Sequence, residues 1–447
     1  MSLSSPGAQM RDPHDQTSLG YMLKLSAPMI VSTVSFTVMQ FIDRFMVSRL
    51  GDEALAAVLP AGFLAFVPGG FALGAMASLN TFVSQSLGRG RKEECANYFW
   101  QTIYMALAYC VLVVLVLNPN APRIFRFMGQ PEAIVDLEVI YLRILLYAHI
   151  VAVVNWSSNQ FFMGIHRPIV TMCASLCGQA ANIFANYVLI FGKFGFPRLE
   201  VAGAAWGTFV GISVAAVINM CIYLSPPMAR AYNSRHIARV NLRRMLNLLR
   251  VGLPAGFGLM VNVALWGVVL ASLVGRFGEQ ALAATSAVLS YTNLSVMPIV
   301  GVSMALTAAV GKAIGANRKD QAIKQTRICL RIAIAYMGFV GICFFVFRDR
   351  LMAFWSDDPR VVAIGTRILI CAAIYQGFHA VRVIYTGALR GAGDTIWIAG
   401  VSACGTLLVL GIGGSVLVRL VPSLGALGPW IAAAASVTAV GLANRWR

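Results

Sequence analysis

Residues 54–88 read ALAAVLPAGFLAFVPGGFALGAMASLNTFVSQSLG, a run of 35 positions with no Asp, Glu, Lys or Arg. A helix crosses the hydrocarbon core of a bilayer with about 20 mostly apolar residues, so this stretch has length to spare. It does not alternate apolar with polar, as the strands of an outer-membrane barrel do. Seven further charge-free runs flank it: Cys95–Pro122, Pro168–Gly192, Val201–Ala229, Val251–Gly275, Gln280–Gly311, Thr395–Val418 and Leu420–Asn444. Shorter apolar runs at Leu25–Ile42, Ile144–Ile165, Ile332–Phe347 and Ile368–Val381 complete the set. The whole chain follows suit, with 58% hydrophobic and 12% charged residues and a mean hydropathy of +0.74. Typical soluble domains are about a quarter charged. The expected fold class is an all-α membrane protein of about 12 transmembrane helices.

A net charge of +18 invites a nucleic-acid reading, which the placement of the charges removes. With the spans numbered in order and the N-terminus inside, 22 of the 35 Lys and Arg and 6 of the 17 acids fall on the inner side, a net +16. The outer side nets +2. Cytoplasmic loops carry the Lys/Arg excess, so both termini are expected in the cytoplasm, the location is the plasma (inner) membrane, and the partner is lipid, not nucleic acid. The first 20 residues are polar and lack the apolar core of a cleavable signal. The nine cysteines include no Cys-x-x-Cys; Cys173 and Cys177 share a helix face without a nearby His or acid, so they read as small core residues.

The chain repeats itself. Leu50-Gly51-Asp52-Glu53-Ala54-Leu55-Ala56-Ala57 matches Phe277-Gly278-Glu279-Gln280-Ala281-Leu282-Ala283-Ala284 at an offset of 227. The same offset pairs Leu87-Gly88-Arg89-Gly90-Arg91-Lys92-Glu93 with Ile314-Gly315-Ala316-Asn317-Arg318-Lys319-Asp320, and Gly164-Ile165-His166-Arg167 with Gly391-Ala392-Gly393-Asp394. Each half then holds six spans. An even number returns the chain to its starting side, so the halves share an orientation, related by a pseudo-twofold along the membrane normal. This is one arrangement of secondary transporters, with the substrate site between the halves. The expected division is a polar tail 1–20, an N-lobe 21–224, a basic cytoplasmic linker 225–245 and a C-lobe 246–447. Pro28 and Pro254 open the first helix of each half one residue out of step; each kinks its helix, and each is a hinge candidate for alternating access.

Among the acids, Asp43 lies inside a span, in the outer third of Leu25–Val47. Charge within a bilayer is costly, which makes such an acid a functional candidate, though an interfacial or structurally paired acid fits position alone. Desolvation raises a carboxylate pKa from about 3.9 and a bound cation lowers it, so one group can exchange a proton for another cation. On the fifth span, Ser175, Gln179, Asn182 and Asn186 form a polar stripe, whose amides can bind a cation, hydrogen-bond a carboxyl, or serve only to join helices. His379 and Arg382 sit at i, i+3 on the tenth span with Tyr375 one turn earlier; facing a cavity, they would disfavour cationic substrates. Gln40, Phe41, Gln179, Trp266, Tyr291, Asn293, Met297, Tyr375, His379 and Arg382 are the candidates for a substrate-cavity wall, where large apolar groups and methionine suit varied amphiphiles.

Enzymatic function is not expected. The five histidines, at positions 14, 149, 166, 236 and 379, form no cluster with acids or nucleophiles, and there is no Gly-x-x-x-x-Gly-Lys-[Ser/Thr] loop for ATP. No cofactor is expected.

Several stretches resemble one known family in order along residues 20–440. Pro28 followed by Ile42-Asp43-Arg44-Phe45-Met46-Val47-Ser48-Arg49-Leu50-Gly51 is similar to the opening helix of the multidrug and toxic compound extrusion (MATE) family. Asn182-Ile183-Phe184-Ala185-Asn186-Tyr187-Val188-Leu189-Ile190-Phe191-Gly192 resembles its fifth helix, Gly203-Ala204-Ala205-Trp206 the start of its sixth, and Gly387-Ala388-Leu389-Arg390-Gly391-Ala392-Gly393-Asp394-Thr395 the loop after its tenth. The resemblance implies an antiporter that exports amphipathic compounds in exchange for H+ or Na+, with two lobes flanking a V-shaped cavity. It also implies an N-lobe cation site made by Asp43, Asn182 and Asn186, with Thr208 as a weaker addition. A monomer is expected. The family's C-lobe acids are missing here: their positions hold Asn262 and His379. The nearest alternative is a flippase of lipid-linked precursors from the same broad superfamily.

Overall fold

The computed structural model describes residues 17–129, 131–236, 238–264 and 269–447, apart from the side chains of residues 52–57, 59, 133, 262 and 264. Among the described residues the chain is helical, with no strand. The N-lobe comprises α1 (Leu19–Ser48), α2 (Asp52–Gly88), α3 (Lys92–Phe127), α4 (Glu132–Gly164), α5 (Pro168–Phe191) and α6 (Glu200–Tyr223). A short α7 (Pro226–Tyr232) lies in the linker. The C-lobe follows with α8 (Leu242–Ala264), α9 (Leu270–Gly275), α10 (Glu279–Gly315), α11 (Lys319–Val346), α12 (Arg348–Ala353), α13 (Pro359–Ala392), α14 (Thr395–Gly405), α15 (Gly414–Leu420) and α16 (Leu427–Trp446). A π-helical stretch, Thr406–Gly413, joins α14 to α15, and the three together make the eleventh span.

Eleven of these helical segments are long and apolar enough to cross a membrane. The seventh span runs through α8 and α9 on either side of residues 265–268, which gives twelve spans in two six-helix lobes. The helices outrun the apolar sequences that announce them. The first span is the 30 residues Leu19–Ser48, not Leu25–Ile42, and α3 holds Lys92, Glu93, Glu94, Arg123 and Arg126 at its ends. Backbone hydrogen bonding continues where the side chains leave the hydrocarbon, so charge limits the span without ending the helix. Local chemistry sets the ends. Ser18 accepts the Tyr21 N–H at the start of α1, Asp358 caps α13 just before Pro359, and Gly192 closes α5 in the left-handed region.

The internal repeat is present in the backbone. Both α2 and α10 have 37 residues and begin and end 227 apart. Left-handed positions recur at the same spacing: Gly51 with Gly278, Gly90 with Asn317, and His166 with Gly393.

The lobes cross where their helices are smallest. Gly74 of α2 lies against the backbone of Ala255 and Gly256 in α8, and its counterpart Gly301 of α10 lies against Met29 and Ile30 in α1. Further along, Gly311 faces Ser84, Gly88 faces Lys312, and Gly315 faces Gln85. Hydrogen bonds follow the same seam, from Thr81 Oγ1 to the Arg390 carbonyl (2.8 Å) and from Gln85 Nε2 to that of Gly391 (3.1 Å). Moving away from Gly88 and Gly315, the last lobe-to-lobe hydrogen bond is Thr33 Oγ1 to the Met297 carbonyl; among the described residues none joins α1 to α10 beyond it. The lobes are thus fastened at the end that carries Gly88 and Gly315.

The linker is docked. Gln101 of α3 donates to the Arg239 carbonyl and accepts from the Asn241 N–H, while Trp100 and Tyr104 donate to the carbonyls of Ser234 and Ala238.

Candidate functional site

A row of glycines builds the N-lobe site. On α6, Gly203, Gly207 and Gly211 stand four apart and all turn toward α5. A Cβ at Gly203 would meet the Leu189 backbone, and one at Gly211 would meet Asn182 and the Gly178 carbonyl. Small residues at this spacing let membrane helices approach closely. The approach sets the α5 stripe: Asn182 and Asn186 are buried (2% and 0% exposed), with the Asn186 carboxamide oxygen directly over Gly207.

Asp43 meets this stripe from α1. Asn186 Nδ2 donates to Asp43 Oδ1 at 2.7 Å, and lies 3.4 Å from Asn182 Oδ1. Asn186 Oδ1 is buried without a partner among the described residues. The cluster therefore presents a carboxylate and two amide oxygens in a small volume, with one oxygen unspent. Buried polar atoms are nearly always satisfied, so an orphaned acceptor beside a carboxylate suits a cation or a proton-bearing partner. Tyr141 of α4, almost fully buried, is within electrostatic reach of Asp43, and no feature of the sequence had marked it.

Other candidate residues are dispersed. Thr208 turns its hydroxyl back onto the Ala204 carbonyl, so its proton is spent within α6. Gln40 and Phe41 are exposed on the C-terminal half of α1, and Gln179 is half-buried on the α5 stripe. Asn293 is exposed on α10, and Met297 sits on the seam, where its carbonyl accepts from Thr33. Two of the tyrosines pack within the C-lobe. Tyr375 is 3% exposed in the C-lobe core, and Tyr291 packs on Phe344 and Trp355 with its hydroxyl bound to the Leu351 carbonyl. Aromatic rings in apolar helices look alike in sequence whether they face a crevice or a neighbour. His379 stacks on Tyr375, and its Nδ1 is buried without a partner among the described residues. Arg382 lies further along the same face of α13 and lines a crevice within the C-lobe. Pro28 and Pro254 both lie inside helices, α1 and α8. In α1, Ser32 donates to the Pro28 carbonyl at 2.9 Å, and Thr33 to the carbonyl of Met29 at 3.0 Å. Trp266 lies outside the described residues.

Glu138, six residues into α4, is a second acid missed in the sequence. It is 0% exposed, and neither carboxyl oxygen has a partner among the described residues. Its neighbours Glu132, Asp136 and Arg143 make it look like part of a charged helix end.

Among the described residues no cluster of His, Cys, Asp and Glu could hold a metal ion. The MatE family model matches the chain twice, at residues 28–188 and 254–414, one match per lobe. Curated relatives include "Probable multidrug resistance protein NorM" of Geobacillus kaustophilus (29% identical, covering 92% of this chain and 90% of the relative). A protein of the same description from Chromobacterium violaceum is 28% identical, covering 94% and 90%. Among solved structures, a MATE protein in complex with MaL6 superposes with a TM-score of 0.89 over 99% of this chain and 98% of the other, at 22% identity, which shows the fold. The doubled family match, falling on two lobes that repeat each other turn for turn, settles the kinship: this chain belongs to the MatE family of multi-pass membrane transporters.

Proposed function

We propose that the chain is a secondary antiporter that exports small amphipathic organic compounds in exchange for H+ or Na+, acting as a monomer in the plasma (inner) membrane with both termini in the cytoplasm. The observation that carries this reading is the Asp43–Asn186–Asn182 cluster, an acid held inside a span against an amide with an unspent oxygen. With the carboxylate ionised, the Asn186 N–H faces it. Protonation removes the charge that this N–H stabilises, and a sodium ion would need the amide turned so that Oδ1 faces Asp43. Either event changes what α1 presents to α5, and α1 is also the helix that packs on α10 across the seam. Cation loading and the relation of the lobes thereby share one helix.

The fastened end carries the turns that the charge distribution assigns to the cytoplasm, so the present conformation is read as facing outward. The relatives' description as multidrug resistance proteins favours efflux over flipping of lipid-linked precursors. A direct test uses the purified protein in liposomes with a fluorescent amphipathic dye, under proton and sodium gradients imposed separately. Uphill dye movement driven by one of them is expected. Movement indifferent to both would end the antiport reading.

A further inference from the structure

The C-lobe contains a half-open crevice of about 120 Å³ between α8, α13 and α14, bordered by Pro254, Gly258, Arg382, Arg390, Thr395 and Ser402. It lies apart from the Asp43 cluster, in the other lobe. Arg382, Thr386 and Arg390 stand at i, i+4 and i+8 on α13, and all three line it. Neither arginine takes part in any described ion pair or side-chain hydrogen bond, and Arg390 Nε is buried without a partner. The acid nearest in sequence, Asp394, is engaged with Arg447 at 2.8 Å. Further up the same helix the orphaned nitrogen is that of His379, not an acid.

Two guanidinium groups without counter-charges, in one crevice inside a membrane protein, are costly as they stand. Intramembrane arginines pair with acids or carbonyls or mark a ligand path, and these two are partly withdrawn from water in a half-open crevice. A guanidinium fork matches the two oxygens of a carboxylate or phosphate. The volume is several times what one water needs (about 10–15 Å³) and well below a drug-sized pocket (about 300–1,000 Å³), so it suits an anionic group. Thr386 gives its hydroxyl oxygen to Asn444 Nδ2 at 3.1 Å, which leaves the hydroxyl proton free to donate into the crevice.

We propose that this crevice is an anion site that takes a carboxylate or phosphate group between Arg382 and Arg390. The group is either a free inorganic anion or the acidic end of a transported compound. The proposal does not depend on the Asp43 cluster, and binding is read on the resting protein without any gradient, so its failure is distinct from a failure of coupling.

The test is calorimetric titration of the full-length protein in nanodiscs of zwitterionic lipid with inorganic phosphate, then with acetate. Saturable binding to wild type is expected, weakened about tenfold or more in Arg382→Gln and Arg390→Gln by loss of a charge-assisted contact. Arg382→Lys and Arg390→Lys keep the charge and retain part of the affinity. A carboxylate-bearing dye and its methyl ester separate the two sources. Competition of the acid, but not the ester, with phosphate identifies the substrate's own acid group. Phosphate binding indifferent to both dyes identifies a free anion. Wild type that binds neither phosphate nor acetate, or glutamine variants that bind like wild type, would overturn the proposal.

Discussion

Gly207→Ala is expected to damage the proposed cation site without replacing any of its side chains. A Cβ at this position falls on Asn186 Oδ1, with the Asn186 carboxamide carbon and backbone nitrogen next nearest. The backbone of α5 is held against α6 along Gly203 and Gly211, so the amide has to move. Moving it sacrifices the 2.7 Å bond from Asn186 to Asp43. A hydrogen bond to a charged acceptor is worth about 1.5–3 kcal/mol, roughly tenfold to a hundredfold in any equilibrium it governs. Gradient-driven dye efflux in liposomes should fall by about that factor, with dye binding retained. The comparison that isolates the route is a cycle with Asn186→Ala, which removes the amide the methyl would strike. If Gly207→Ala acts through Asn186, the double variant behaves like Asn186→Ala alone. Wild-type coupling in Gly207→Ala, or independent losses that add in the double variant, would refute the reasoning.

Two further expectations concern the fastened end. His166, in the turn between α4 and α5, accepts the Tyr21 hydroxyl at Nδ1 (2.8 Å) and donates Nε2–H to the Ala308 carbonyl across the seam (3.1 Å), an arrangement that needs the neutral ring. Burial, then nearby Lys312, lowers its pKa from 6.5 to about 3. A depressed pKa means that the closed seam is favoured above the water-exposed value of about 6.5, and loses about 1.4 kcal/mol per pH unit below it until about 3. Labelling of Gln85→Cys by a hydrophilic maleimide, taken as a ratio to a fully exposed reference cysteine so that the thiolate's own pH dependence cancels, should therefore rise as pH drops through 6, and His166→Gln should flatten that profile; unchanged pH dependence in the variant would assign it elsewhere. Gly311→Val drives a side chain into Ser84 across the seam. Overpacking costs about 1–3 kcal/mol, so the same labelling should be faster at neutral pH, whereas protection equal to wild type would show that the seam does not separate.

Much of this architecture could be read from charge spacing, because the bilayer penalises charge heavily and uniformly. The repeat was legible for a related reason: left-handed turns at Gly51 and Gly278, or Gly90 and Asn317, tolerate few residues and so keep their signatures. Asp43 stood out because it is an acid within the first span, where charge is costly. The partners were harder. Asn182 and Asn186 show as a stripe, but the closeness of α5 and α6 depends on Gly203, Gly207 and Gly211, whose four-residue spacing in the sequence does not say which helix they face. Which aromatics face a crevice cannot be seen in a helix that is apolar all round, and the burial of Tyr375 shows only in the fold. Arg390 reads as part of a loop motif because a glycine-rich turn follows at once; only folding shows it lining the same crevice as Arg382.

The claim on which the rest turns is that Asp43 couples cation movement to export. The most direct measurement compares wild type and Asp43→Asn in liposomes for two processes: dye accumulation driven by a proton or sodium gradient, and dye-for-dye exchange with no gradient. Asp43→Asn is expected to lose gradient-driven accumulation while exchange persists. Full gradient-driven accumulation by Asp43→Asn would contradict it.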